Sequence, residues 1–139
     1  MKNLFVYGTL TFPEIMHALV GKNFRCAPAS LKNHSVVTID GKAYPALIKS
    51  FGKTANGLVL FDVDKESFRI IQAWEGNEYD LRKVEVIIHG TSMMTEIFCW
   101  KSPISKPAPW DRKTFEKDHL HNYILEKIPV DLASKTLRV

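Results

Sequence analysis

Two turn signals divide much of this chain into β-hairpins. Asp40-Gly41 follows an extended pattern over residues 27–39, and His89-Gly90-Thr91 separates two further segments with the character of β-strands. Glycine adopts a positive φ at little steric cost, so Asp-Gly is typical of tight hairpin turns. Such turns pair neighbouring strands antiparallel, which restricts the fold to classes that contain a hairpin-linked sheet.

The remaining strands are predicted from short apolar runs and from alternation. Residues 4–6 predict a short buried strand, and residues 44–48 and 55–61 predict two more. Residues 83–89 alternate between apolar and polar positions, and residues 93–100 are their expected antiparallel partner.

Three helices are predicted from capping residues. Pro13 suits a first helical turn, where its missing N–H would have no partner, and Gly21 suits the end of that helix. Asp64 is the expected N-cap of a helix from about residue 65 to 74, and Asp111 is that of a third helix. The third helix is expected to carry Phe115, His119, Leu120, Tyr123 and Ile124 on one side and to end at Pro129.

Strands outnumber helices in this pattern, and the 139 residues are 45% hydrophobic and 24% charged, as in globular proteins. We therefore predict one α+β domain over residues 1–139, with a curved antiparallel or mixed sheet. The net charge of +4 is scattered along the chain, so neither a nucleic acid nor a membrane is an expected partner.

Two cysteines, Cys26 and Cys99, lie in separate apolar segments without CxxC spacing. They are expected to be buried thiols of a reducing compartment, with a disulfide between them as the alternative. The first residues lack the apolar segment of a signal peptide, and no later run has the length of a membrane span. A cytoplasmic location is therefore expected.

The YGTL segment, residues 7–10, is a candidate binding loop. Gly8 would let a ligand approach the backbone, and the amides from Gly8 to Leu10 would point together at an anion or a carbonyl oxygen. The alternative is a simple turn between a strand and a helix. The sequence contains no Walker loop, GxSxG elbow or HExxH motif, and no metal or organic cofactor is expected.

The segment AWEGNEYD, residues 73–80, supplies a candidate carboxylate. Glu75 lies at the end of an apolar helix, at a position where the spacing of the core-facing residues continues. Burial would raise its pKa towards the range useful for proton transfer, because the charged form loses hydration. The alternative is that Glu75 continues a polar rim with Glu78.

Taken together, these segments resemble the gamma-glutamylcyclotransferase-like superfamily, in particular its avirulence-induced-gene-like branch. The matching motifs are, in order, FVYGTL at 5–10, YPAL at 44–47, NGLVLF at 56–61 and IIQAWEGNEYD at 70–80. The segment PWDRKTFEKDHLHNY at 109–123 is similar to the end of that branch, so the resemblance covers nearly the whole chain.

The resemblance implies a small mixed β-barrel with short flanking helices. It also implies a cofactor-independent enzyme that cyclises a gamma-glutamyl amine or peptide to 5-oxoproline, with Glu75 as general acid/base. The implied substrate site consists of Tyr7, Gly8, Thr9, Leu10, Tyr44, Pro45 and Tyr79. The YGTL amides would bind either the α-carboxylate or the developing oxyanion of the substrate.

Two other functions stay open at this point. One is a non-catalytic binding module for gamma-glutamyl or amino-acid-like metabolites, since a fold persists when an activity is lost. The other is a related lyase or transferase that acts on another acyl amine and yields no 5-oxoproline. The sequence specifies neither the leaving amine nor whether the chain is a monomer or a homodimer.

Overall fold

A closed five-stranded barrel forms the centre of the computed structural model, which describes residues 1–134. Its strands are β1 (Lys2–Val6), β2 (Cys26–Thr38), β3 (Pro45–Val63), β4 (Tyr79–Ile88) and β5 (Thr91–Trp100). The strand order is β1-β3-β2-β4-β5, and the barrel closes where β1 runs parallel to β5. All other neighbouring pairs are antiparallel. The implied mixed barrel is therefore confirmed.

Short helices surround the barrel. They are α1 (Pro13–Val20), α2 (Lys65–Glu75), α3 (Arg112–Asp118), α4 (Leu120–Asn122) and α5 (Ile128–Ser134), with a 3₁₀ turn over Thr9–Thr11 and a π-helical turn over Tyr123–Lys127. Pro13 begins α1 and Gly21 ends it at a φ of 81°, as predicted. Within residues 1–134, no helix is both long and apolar enough to cross a membrane.

The first strand separates two layers of the core. Leu4 and Val6 pack with buried residues of the helices, whereas Phe5 packs among the strand residues inside the barrel. This division follows from the alternation of side chains along a strand. A Cβ on Gly57 of β3 would lie 2.2 Å from the Val6 carbonyl oxygen, so only glycine allows β1 and β3 to approach this closely.

The two strands predicted at residues 44–48 and 55–61 are in fact parts of the single strand β3. Its pairing with β2 shifts around Asn33, and residues 50–53 bulge out of the ladder. The Asn33 Oδ1 atom accepts a hydrogen bond of 3.0 Å from the amide of Gly52. A bulge bends a strand without ending it, which a reading of local sequence alone does not show.

The predicted end of the last helix at Pro129 is wrong, because Pro129 lies within α5. Pro129 is the second residue of α5, directly after the π-helical turn, and proline is tolerated in the first turn of an α-helix because its missing N–H is not needed there. The helix also breaks earlier than expected, at His119, whose side chain is exposed. Phe115, Leu120 and Tyr123 are buried as expected.

The prediction of buried thiols is wrong for Cys26. Cys26 is the first residue of β2 and is exposed, whereas Cys99 in β5 is partly buried. Both cysteines are free thiols, and burial raises the pKa of Cys99.

Asp64 caps α2, the helix that carries Glu75 at its other end. One carboxylate oxygen of Asp64 accepts a 3.0 Å hydrogen bond from the Ser67 amide, and the other lies 2.7 Å from the Lys22 Nζ atom. The bond to Lys22, followed by the bonds to Ser67, lowers the pKa of Asp64 well below its ordinary value. The ionised carboxylate therefore stabilises the folded state.

We expect Asp64→Ala to lower the free energy of unfolding by about 1 kcal/mol at pH 7. The pKa of Asp64 is lower in the folded state than in the unfolded state. Its contribution to the free energy of unfolding is therefore complete above the unfolded-state pKa and is lost as pH falls towards the folded-state pKa. Urea titrations at pH 7 and below about pH 3 measure this difference. Asp64→Asn, which keeps a capping side chain, is the matched control. An equal loss for Asp64→Ala at both pH values would contradict the role assigned to ionised Asp64.

Candidate active site

A cavity of about 100 Å³ lies where the end of β1, the end of α2 and the π-helical turn meet. Every residue expected at the site lines this cavity: Tyr7, Gly8, Thr9, Leu10, Tyr44, Pro45, Glu75 and Tyr79. Segments far apart in the sequence are therefore brought to one hollow. The parts these residues play in binding and catalysis stay predictions.

The YGTL segment forms a tight turn against the cavity. Both the amide and the hydroxyl of Thr11 donate to the Gly8 carbonyl oxygen, at 3.0 and 2.6 Å. The first amides of a helical turn have no acceptor within that turn. The backbone from Gly8 to Leu10 can therefore offer N–H donors to an anion or a carbonyl oxygen in the cavity.

Gly8 packs directly against Pro45, the first residue of β3. A Cβ on Gly8 would lie 2.7 Å from the Cγ atom of the Pro45 ring, which is too close for any unstrained contact. This packing is a second reason for glycine at position 8, besides the ligand approach expected from the sequence. The turn is thus positioned by Pro45, which lines the same cavity.

Arg112 supports the turn from outside the cavity. Its Nε atom donates to the Thr11 hydroxyl at 2.9 Å, and its Nη2 atom donates to the Thr11 carbonyl oxygen at 3.2 Å. The guanidinium also lies 3.8 Å from the centre of the Phe12 ring. The sequence does not reveal this support, because Arg112 belongs to α3, far along the chain from the turn.

Glu75 is the last residue of α2 and is partly buried at the cavity wall. The helix ends there because Gly76 adopts a φ of 78°. Trp74 is only 8% exposed, and its indole Nε1 donates a 2.9 Å hydrogen bond to Asp131 of α5. This bond ties the end of α2, and with it the backbone of Glu75, to the C-terminal helix.

Three tyrosines give the cavity wall hydroxyl groups that stay protonated. The Tyr7 hydroxyl donates to the Phe98 carbonyl oxygen, and the Tyr79 hydroxyl donates to the Pro45 carbonyl oxygen at 3.2 Å. Burial raises the pKa of Tyr7, Tyr79 and Tyr123, and the nearby Glu75 carboxylate adds to the rise in each. The three phenols therefore stay protonated at neutral pH, and those of Tyr7 and Tyr79 donate the hydrogen bonds described above.

Tyr44 lines the cavity and belongs to an aromatic cluster with Tyr79 and Trp100. Its ring centre lies 6.4 Å from that of Tyr79 and 6.1 Å from that of Trp100. Tyr79 and Trp100 meet edge to face at 5.2 Å. Such pairs hold the rings in fixed orientations, which gives this wall a defined shape.

Several lining residues were not predicted from the sequence: Phe5, Val6, Trp74, Glu78, Phe98, Tyr123 and Lys127. Tyr123 and Lys127 are the first and last residues of the π-helical turn. A π-helical turn has no clear signature in apolar spacing, so Lys127 could not be predicted as a lining residue. Trp74 and Glu78 could have been found, because both lie in the segment that resembles the family.

Comparisons with known proteins agree with this architecture. The sequence model of the family described as gamma-glutamyl cyclotransferase, AIG2-like, matches residues 4–121. AIG2-like protein D of Arabidopsis thaliana is 25% identical over 129 residues, which cover 89% of this chain and 85% of that protein. AIG2-like protein B of the same plant is 28% identical over 131 residues, covering 89% of this chain and 74% of that protein.

Solved structures show the same fold. An Arabidopsis thaliana protein studied in solution has a TM-score of 0.70 and 22% identity, covering 96% of this chain and 93% of its own. A gamma-glutamyl cyclotransferase has a TM-score of 0.62 and 16% identity, covering 92% of this chain and 86% of its own. At these identities the similarity shows a shared fold and leaves activity to the site itself.

Proposed function

This chain belongs to the gamma-glutamyl cyclotransferase, AIG2-like family, and on that premise we propose that it converts a gamma-glutamyl amine or peptide to 5-oxoproline. The free amine is the second product. The observation that supports this proposal best is that the Glu75 carboxylate and the amide-bearing turn after β1 line one small cavity.

The substrate class carries its own nucleophile. The α-amine of a gamma-glutamyl group attacks the γ-carbonyl carbon, which forms the C–N bond of a five-membered ring. The bond between that carbon and the leaving amine then breaks. Because both reacting groups belong to one molecule, holding it in a folded conformation supplies much of the rate acceleration.

Glu75 is the proposed general acid/base. An ammonium has no lone pair, so the α-amine must lose a proton before it attacks. The α-nitrogen loses one proton before the attack and a second as the ring closes. Glu75 accepts each proton in turn and passes it to the leaving nitrogen, which departs as an ammonium, so the enzyme ends the cycle in its starting state. The tight packing of Trp74 beneath the end of α2 keeps this carboxylate at the cavity wall.

Polar groups around the cavity suit the other charges of the reaction. The amides of the YGTL turn are donors for the oxygen of the γ-carbonyl or for the α-carboxylate. Tyr7 and Tyr79 already donate to backbone carbonyls, so we assign them to shaping the wall. The reaction as written needs no cofactor.

The size of the cavity bears on which part of the substrate it encloses. Its volume of about 100 Å³ is well below that of pockets that enclose drug-sized ligands. A gamma-glutamyl head group is small and polar, so we expect the cavity to hold that group and the leaving amine to extend outward. Amines of different size would then be accepted at similar rates.

A panel of gamma-glutamyl amines and dipeptides tests this proposal. We expect 5-oxoproline and the free amine in equal amounts from at least one member of the panel. Mass spectrometry measures the products, and calorimetry measures binding of each compound. Binding without any product would indicate the non-catalytic module, and product without 5-oxoproline would indicate a different acyl amine reaction.

A further inference from the structure

Lys127 gives the cavity a positive charge that the proposed mechanism does not use. Among the described residues that line the cavity it is the only cation, and the wall also carries the carboxylates of Glu75 and Glu78. A ligand that fits this pattern would present a negative and a positive group to different parts of the same small hollow.

The ammonium of Lys127 is held in place by Asp131 and the Tyr123 ring. Its Nζ atom lies 3.2 Å from the Asp131 Oδ2 atom and 5.6 Å from the centre of the Tyr123 ring. Asp131 is only 9% exposed, and the same oxygen also accepts the bond from Trp74. An ammonium has three donors, and the bond to Asp131 uses one. Lys127 therefore keeps donors for a ligand, with its side chain 37% exposed.

The π-helical turn helps to keep these groups on one side of the helix. In a regular α-helix, residues four apart are rotated by about 40° around the axis, so a series at every fourth position drifts away from one side. The wider turn over Tyr123–Lys127 changes this register. Tyr123, Lys127 and Asp131 consequently contact one another or Trp74, and they lie on the side of the helix that faces α2.

We propose that Lys127 binds the α-carboxylate of the gamma-glutamyl group, an inference that rests on the proposed function. A gamma-glutamyl head group has an ammonium and a carboxylate on one carbon, which matches the carboxylate of Glu75 and the ammonium of Lys127. With the α-carboxylate bound by Lys127, the YGTL amides are left for the γ-carbonyl oxygen. Asp131 is then a positioning residue, since it acts by orienting Lys127.

This assignment makes the α-carboxylate a requirement for efficient turnover. A 4-aminobutanoyl amide has the same nucleophile and carbonyl but lacks that carboxylate. Its amine nitrogen would attack the carbonyl carbon, release the same leaving amine with the transferred proton, and yield 2-pyrrolidinone. The pair of substrates therefore differs only in the group that Lys127 is proposed to bind.

The test compares Lys127→Gln with the wild type on these two substrates, both with one leaving amine. We expect kcat/KM for the gamma-glutamyl substrate to fall about 10- to 100-fold, with little change for the 4-aminobutanoyl substrate. Lys127→Arg should recover part of the loss. Lys117→Gln, in the last turn of α3 and away from the cavity, is the control. Equal losses on both substrates, or no loss, would overturn the proposal.

A binding measurement separates this proposal from the cyclisation itself. Calorimetry compares 5-oxoproline, which keeps the carboxylate, with 2-pyrrolidinone, which lacks it. We expect Lys127→Gln to weaken binding of 5-oxoproline about 10- to 100-fold, whether or not the wild type shows turnover. If the wild type shows no turnover but Lys127→Gln loses binding of 5-oxoproline, the assignment of Lys127 is supported and cyclisation is rejected. Unchanged binding, or no binding of 5-oxoproline to the wild type, would reject the assignment of Lys127.

Discussion

Glu75→Gln is expected to lower kcat for 5-oxoproline formation by at least about 100-fold. Glutamine has nearly the shape of glutamate but cannot accept a proton from the α-amine at neutral pH. The substitution is nearly isosteric and lies at the last residue of α2, where the side chain is only partly buried, so we expect the fold to persist. Binding of 5-oxoproline should change much less than turnover, because Glu75 is assigned to proton transfer.

Glu78→Gln is the matched control for this experiment. Glu78 lies on the wall of the same cavity but is exposed, and the proposed mechanism gives it no proton to transfer. Rates of 5-oxoproline release, unfolding midpoints and calorimetric affinities are compared for both purified variants. Wild-type turnover in Glu75→Gln, or an equal loss in Glu78→Gln, would remove Glu75 from its proposed role.

Gly8→Val is expected to reduce both ligand affinity and stability. Even the Cβ atom of the added side chain would lie 2.7 Å from the Pro45 ring, so the YGTL turn must move. Overpacking of this kind typically costs about 1 to 3 kcal/mol of folding free energy. The turn is part of the proposed binding site, so we expect its displacement to abolish calorimetric binding of 5-oxoproline and turnover.

A double substitution identifies the cause of that loss. Gly8→Ala adds only the clashing Cβ, and Pro45→Ala removes the ring atoms it would meet. If the clash is responsible, the effect of Gly8→Ala on binding and stability should be smaller in the Pro45→Ala background than in the wild type. Wild-type affinity of the Gly8→Val protein would instead show that the turn is not part of the binding site.

Local sequence chemistry predicted the parts of the fold that depend on neighbouring residues. Asp40-Gly41 forms the turn between β2 and β3, and Pro13 and Asp64 begin α1 and α2. These features depend on φ values, missing donors and capping bonds, which each residue type carries with it. The closure of the barrel by β1 and β5 has no such local signal, and it was expected only from the family resemblance.

The wrong strand and helix boundaries come from irregular backbone that a local apolar pattern does not indicate. The bulge at residues 50–53 joins what looked like two strands, and the π-helical turn places Pro129 inside a helix. Glu75 and the YGTL turn were recognisable as motifs, but Lys127 and Arg112 reach the site only through tertiary packing. A single sequence therefore indicated the chemistry at the centre of the site better than the residues that support it.

The fate of solvent oxygen tests the proposed reaction most directly. The best substrate of the gamma-glutamyl panel is incubated with the protein in water enriched in oxygen-18, and the products are analysed by mass spectrometry. Intramolecular attack by the α-amine predicts 5-oxoproline without the label and one equivalent of free amine. Labelled glutamate, which requires attack by water on the γ-carbonyl, would contradict cyclisation as the activity of this protein.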